Sequence, residues 1–242
     1  MSTRFPTFGS LFAGIGGFDL GLERAGWACS WQVEKDPYCN AVLARHWPDV
    51  PRYTDVKELD PDVLAPVDLI CGGFPCQDIS SAGLRAGIGG EKSGLWGEMA
   101  RLIRGVGPRF VLVENVGDLA VRGLDVVLGD LCQLGFDADW SVVPACALGA
   151  SHARERLFIV AYRPDGDVSD SLSPDRRAAT GAGESRGSRR STRGDGWLPE
   201  PLVDRVAHGL PLRLVRNPLH ALGNAVVPRV VEEIGAWLME VA

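Results

Sequence analysis

Residues 5–34 read FPTFGSLFAGIGGFDLGLERAGWACSWQVE. Residues 5–12 form a short apolar run, the signature of a buried strand. The glycines Gly14, Gly16 and Gly17 then break the run, and 17–26 reads as a helix. A second strand follows at 28–33. Strand, glycine turn, helix and strand, in that order, open an α/β fold. The same alternation continues outward from this unit. A helix is expected at 36–46, a buried strand at VDLIC (67–71), and a long Gly/Ser-rich segment at 72–94. Beyond it come a helix at 95–105, the apolar strand RFVLVEN (109–115), a helix at 123–134, and strands at 138–146 and 156–162. Strands that are continuously apolar rather than alternating belong to a mostly parallel sheet with both faces covered.

The rest of the chain departs from this pattern. Residues 164–196 are rich in Asp, Ser, Gly and Arg and cannot build a core alone. Structure is expected to return at Trp197, and LGNAVVP introduces an apolar helix at about 225–240. There is no internal repeat. A length of 242 residues suits one good-sized domain with a small appendage.

The totals exclude several classes. Hydrophobic content of 45% and charged content of 23% are those of a soluble globular protein. No apolar run approaches the roughly 18 residues of a membrane span. The N-terminal residues lack the layout of a secretory signal, so a cytoplasmic protein without a membrane partner is expected. The six cysteines form no CxxC pair and no His/Cys cluster of zinc spacing, so no metal is expected. A net charge of −6 argues against a nucleic-acid partner only if charge is evenly spread. It is not, because Arg176, Arg177, Arg186, Arg189, Arg190 and Arg193 crowd one segment containing a single acid, Glu184.

Five constellations carry chemistry. In LFAGIGGFDLGLERAG (11–26) the glycines let a cofactor approach the backbone, or simply make a tight turn. Asp19 stands where a dinucleotide fingerprint needs a small residue, which disfavours a nicotinamide cofactor. Glu34 ends the second strand about 20 residues after the glycines, where a carboxylate can accept ribose hydroxyls. Asp55, after RYT, can accept an adenine amino group; either acid can also be a solvated surface group. GGFPCQDIS (72–80) holds Cys76 at the carboxyl end of a buried strand, the rim where open α/β sheets bind ligands. Cys76 is there either a nucleophile or a buried structural thiol. The Gly-rich stretch that follows it reads as a binding loop. In VLVENV (111–116), Glu114 and Asn115 end an otherwise buried strand, where an acid needs a task or a partner. In SHARERLFIVA (151–161), Arg154 and Arg156 share one face, to bind an anion, hold Glu114 or lie solvated.

Taken in order, FAGIGG, Glu34, Asp55, FPCQ, ENV, RERLFIV and GNAVVP resemble the cytosine-5 DNA methyltransferases of bacteria and phages. The resemblance covers about 1–163 and 217–242. It implies a Rossmann-like S-adenosylmethionine-dependent methyltransferase with a mostly parallel central sheet and a reduced recognition domain. Residues 1–163 and 217–242 would form the catalytic domain and 164–216 the target-recognition region. Phe12, Gly14, Gly16 and Gly17 would surround the methionine moiety of the cofactor and Glu34 its ribose. Asp55 and Val56 would hold the adenine, and Asn224 and Val226 would close the pocket. Cys76 would attack carbon 6 of a cytosine flipped out of double-stranded DNA. Glu114 would contact N3 and the amino group, Arg156 the O2 carbonyl, and Arg154 the catalytic loop and a phosphate. Gln77, Ser80 and Arg85, with Arg186, Arg189 and Arg190, would contact DNA, and the enzyme would act as a monomer.

The chain departs from that family at three points. His152 stands where Gln is usual. The space for target recognition is short, and the motif before GNAVVP is faint, with Arg205 in EPLVDRVAHGLPLRL its best match. A short or degenerate site is therefore expected, since few base contacts are on offer. The rival readings are a cytosine methyltransferase for RNA, a DNA- and cofactor-binding module without catalysis, and a folate-dependent pyrimidine enzyme. The last leaves FAGIGG and Glu34 unexplained.

Overall fold

The computed structural model describes residues 5–75, 94–149, 154–164, 221–222 and 224–241. The elements run in the order β1 (Thr7–Leu11), α1 (Gly17–Arg24), β2 (Ala28–Val33), α2 (Pro37–His46), β3 (Arg52–Tyr53), β4 (Leu69–Gly72), α3 (Leu95–Val106) and β5 (Phe110–Val116). They continue with α4 (Leu119–Arg122), α5 (Leu124–Gln133), β6 (Asp137–Pro144), β7 (Glu155–Tyr162) and α6 (Pro228–Val241). Local signals explain several boundaries. Asp36 caps α2 by accepting from the Cys39 N–H at 2.9 Å, and Pro37 occupies the first turn. Gly107, at φ 65°, closes α3 in the left-handed conformation. Pro228 opens α6 three residues later than the apolar pattern suggests, because a proline is best placed at a first helical position.

The strands form one seven-stranded sheet in the order β3-β2-β1-β4-β5-β7-β6. The first five pair in parallel, and β7 runs antiparallel to both its neighbours. The expected α/β fold with a mostly parallel sheet is thus found. The chain steps outward from β1 to β2 and β3, then returns to pair β4 on the other side of β1. The carboxyl ends of β1 and β4 therefore flank the point where the winding reverses, the usual place for a ligand.

Two apolar layers cover the sheet. On one face Leu11, Ile70, Val111, Val113 and Leu157 pack against α3 and α5 through Met99, Leu102, Ile103, Val127 and Leu131. On the other, Phe8, Leu69, Leu112 and Phe158 meet Leu22 of α1 and Val231 and Leu238 of α6. Helices α1 and α6 touch at backbone distance. A Cβ on Gly21 would sit 2.6 Å from the Pro228 carbonyl oxygen, so only glycine fits there. Between these layers Asp19 is fully buried and ties three elements together. It accepts from Ser10 Oγ on β1 at 3.1 Å and from Gln32 Nε2 on β2 at 2.8 Å.

The helix expected at 123–134 is found as α5, with the four-residue α4 standing before it on the other side of Gly123. β3, the strand at RYT that precedes Asp55, is only two residues long.

Candidate active site and cofactor pocket

The glycine segment leaves β1 through Phe12, which holds φ 53°, a left-handed conformation rare outside glycine. Such strain, of order 1–3 kcal/mol, gathers at functional sites. Gly14 follows with φ 56°, and a side chain added there would meet open space. The Gly14 N–H donates to Glu34 Oε2 at 2.7 Å, and the Asp36 N–H donates to Oε1 at 2.7 Å. Glu34 is thereby held beside the glycine turn, with one acceptor position still open on each oxygen. Such a carboxylate can receive a vicinal diol. Gly16 and Gly17 are both required by close approach. Their Cβ atoms would lie 2.4 Å from the Trp47 ring and 2.7 Å from the Val226 carbonyl oxygen.

Asp55 lies two residues beyond β3, on the same rim as Glu34. Its Oδ1 accepts from the Lys57 N–H at 3.0 Å and its Oδ2 pairs with Lys35 Nζ at 2.8 Å. The Lys35 ammonium holds this carboxyl below its ordinary value. Val56 is buried, and its carbonyl accepts from Arg101 Nη2 at 2.8 Å. The pocket residues expected from sequence, Phe12, Gly14, Gly16, Gly17, Glu34, Asp55 and Val56, are thus gathered at the carboxyl ends of β1, β2 and β3. They leave the open space at Gly14, the diol-ready carboxylate and the second acid that S-adenosylmethionine would need. Val226 joins them through Gly17, while Asn224 stands exposed just before it.

The second half of the site is built at the ends of β4 and β5. Glu114 is buried, and Arg156 Nε stands 3.0 Å from its Oε1. Burial pushes the Glu114 carboxyl up to about 7, and the positive charges of Arg156 and Arg154 pull the other way. Gly73 makes room for it, since a Cβ there would be 2.9 Å from Glu114 Oε2. Asn115 points to the opposite face. Its Nδ2 donates to the Phe74 carbonyl at 3.0 Å, and its Oδ1 accepts from the Val116 N–H at 2.9 Å. The Phe74 ring lies 5.4 Å from that of Trp96 on α3, whose indole N–H donates to Asp130. The chain from Gly73 to Pro75 is therefore anchored beside Glu114.

Arg154 reaches across to the C-terminal segment, where its Nη2 donates to the Ala225 carbonyl at 2.9 Å. The catalytic loop that the resemblance also assigns to Arg154 lies outside the described residues. Cys76, Gln77, Ser80, Arg85, His152, Arg186, Arg189, Arg190 and Arg205 lie outside the described residues. Among the described residues no cluster of His, Cys, Asp or Glu can hold a metal, and no helix is long and apolar enough to cross a membrane. Sequence reasoning missed Gly73, Trp47 and Arg101. Gly73 alone left a trace, as the second glycine of GGFPC; the other two act on partners far away in the chain.

Comparison with known proteins agrees with this geometry. The profile of the C-5 cytosine-specific DNA methylase family matches residues 6–188. The Type II methyltransferase M.HhaI of Haemophilus parahaemolyticus is 30% identical over 171 residues, covering 69% of this chain and 52% of that protein. M.PspPI of a Psychrobacter species, also named a Type II methyltransferase, is 38% identical over 162 residues, covering 64% and 39%. The chain spans about half the length of such relatives. Among solved structures, a putative DNA modification methyltransferase encoded in an Escherichia coli prophage superposes with a TM-score of 0.55 at 26% identity, covering 69% of this chain and 50% of that one. DNMT2 of Spodoptera frugiperda superposes at 0.57 with 18% identity, covering 66% and 50%, and shares the fold. By its matched profile, its sheet and the residues on its rim, the chain belongs to the C-5 cytosine-specific DNA methylase family.

Proposed function

We propose that this protein methylates carbon 5 of cytosine in double-stranded DNA. The observation that carries the reading is Glu114. It is a buried acid raised to about 7, paired with Arg156 and packed against Gly73, three residues before Cys76. An acid near neutrality can share a proton with a ring nitrogen at working pH.

Carbon 5 of cytosine is a weak nucleophile. Addition of the Cys76 thiolate to carbon 6 forms a C–S bond and sends the ring electrons toward carbon 5 and N3. Glu114 places its proton on N3, and Arg156 steadies both that carboxyl and the O2 carbonyl. When bound, S-adenosylmethionine would supply carbon 5 with its sulfonium methyl group, the sulfur keeping the bonding electrons as it leaves in the thioether S-adenosylhomocysteine. Water then removes the carbon-5 proton, the bond from carbon 6 to sulfur breaks, and the N3 proton returns to Glu114. Glu34 and the Gly14 turn orient the cofactor's ribose, Asp55 and Val56 its adenine. A base stacked in a duplex is out of reach, so it must be flipped out, at a cost of a few kcal/mol.

The same reading gives DNA contacts to Gln77, Ser80, Arg85, Arg186, Arg189 and Arg190, and target recognition to 164–216. It makes the protein a cytoplasmic monomer, solitary or partnered with a restriction enzyme. Duplex DNA carrying 5-fluorocytosine tests it. With S-adenosylmethionine, the wild-type protein should form a denaturant-stable adduct that Cys76→Ser lacks. No adduct on DNA, or a stronger one on structured RNA, would reject the proposal.

A further inference from the structure

We infer that Arg101, on α3, is a positioning residue that fixes the adenine end of the cofactor pocket. The inference rests on the assignment of Asp55 and Val56 proposed above. Every nitrogen of the guanidinium is engaged. Nη2 donates to the Val56 carbonyl at 2.8 Å and Nη1 to the Leu59 carbonyl at 2.9 Å. Nε lies 2.7 Å from Glu98 Oε2, one helical turn back on α3. A planar fork can hold two carbonyls in fixed relation, which a lysine ammonium cannot.

The held segment is a turn, in which the Glu58 N–H donates to the Asp55 carbonyl at 3.3 Å. It follows the two-residue strand β3, and Asp55 turns it with one carboxylate oxygen on the Lys57 N–H. Below, the side chains of Val56 and Leu59 enter the core beside α3. The guanidinium therefore fastens the backbone of a turn whose side chains are already seated. What it sets is the tilt of the peptide planes between Asp55 and Leu59. The Arg101 side chain is 37% exposed and Glu98 17%, so the pair adds little to global stability. Its effect falls on the placement of Asp55 and Val56, and an error of about 1 Å is costly in a binding site.

The same helix carries Trp96 against Phe74, on the strand end that leads to Cys76. One element thus seats both the adenine turn and the approach to the nucleophile, and Arg101 is its fastening on the adenine side.

The test measures calorimetric affinity for S-adenosylhomocysteine and for S-inosylhomocysteine, which has a carbonyl in place of the adenine amino group. Wild type, Arg101→Met, Arg101→Lys and Asp55→Asn are compared, with melting temperatures alongside. Wild type should prefer the adenosine ligand by about tenfold, the worth of one well-placed hydrogen bond to a charged group. Arg101→Met should lose most of that preference, with a raised KM for S-adenosylmethionine, a kcat within about twofold and a melting temperature lowered by no more than a few degrees. Arg101→Lys, which can keep one bond, should fall between. A discriminating wild type whose preference survives in Arg101→Met overturns the inference alone. So does equal weakening of both ligands in that variant. A wild type that binds the two ligands alike overturns the adenine assignment, and the inference with it.

Discussion

In the proposed reaction Glu114 concentrates the chemistry of the site in one side chain. Its proton is held mainly by the cost of charging a buried carboxyl, with Arg156 and Arg154 opposing. In Glu114→Gln the methyl-transfer rate should fall about 10²- to 10⁴-fold. Its pH profile should also lose the alkaline descending limb, which belongs to loss of the Glu114 proton. A variant profile that still descends would assign that limb to another group. Gly73 offers a subtler test. In Gly73→Ala the new methyl group meets the Glu114 carboxylate rather than backbone, so the fold should survive with a stability change within about 1 kcal/mol. The carboxylate must move, however, and kcat should drop by roughly a hundredfold. Denaturation curves and single-turnover rates check the two halves of that statement. Glu114 was legible in the sequence as an acid out of place in VLVENV. Gly73 left only a trace, as the second glycine of GGFPC, because a glycine's reason for being one is the atom it would strike.

Elements are joined here by buried polar groups as well as by apolar layers. Asp19 binds β1 and β2 to α1, and burial raises its carboxyl to about 6 from an ordinary 3.8. A raised carboxyl binds more protons in the folded state than in the unfolded state between those two values. The stability it confers is therefore complete below about 4 and is lost as pH rises to about 6. Glu114, raised from 4.5 to about 7, acts in the same direction over an interval that overlaps this one and extends beyond it. The protein should accordingly resist urea better at pH 5 than at pH 7, by up to a few kcal/mol. Asp19→Asn should flatten the part of that slope below pH 6; an unchanged slope would show that the acid is already charged in the fold. At this scale the sequence was informative wherever burial is written as composition. VDLIC and RFVLVEN name β4 and β5 because parallel strands are apolar on both faces. It was silent on α4, whose four residues are too few to show a period.

For the whole molecule, the winding reversal between β2 and β4 brings FAGIGG and GGFPC together, although about 60 residues separate them. The order of motifs pointed to residues that share one rim, since a parallel sheet delivers successive strand ends to the same edge. It could not tell which contacts cross the molecule. Arg154 to Ala225 spans 71 residues, and Arg101 to Val56 spans 45. Such pairs are properties of packing, with no local pattern to betray them.

Strand β7, reversed within the sheet, has one more consequence. Its first residues arrive beside the end of β5, so Arg156 pairs across from Val116, while Tyr162 lies opposite Phe110 at the far edge. The polypeptide therefore leaves the described catalytic body at Pro164 on the side away from the chemistry. It is next met at Ala221, close to the Ala225 carbonyl that Arg154 holds. An eight-residue strand is roughly 26 Å long, so any tether between these two points has about that distance to span. That route sets a floor on shortening. Replacing 165–220 with a Gly/Ser tether of about 20 residues should preserve folding and S-adenosylhomocysteine affinity while abolishing DNA methylation. A tether of about five should unseat α6 and cost both, as melting curves and calorimetry would record. Part of the length of 165–220 is thus a matter of reach, and under the proposed function only the remainder is free to read a sequence.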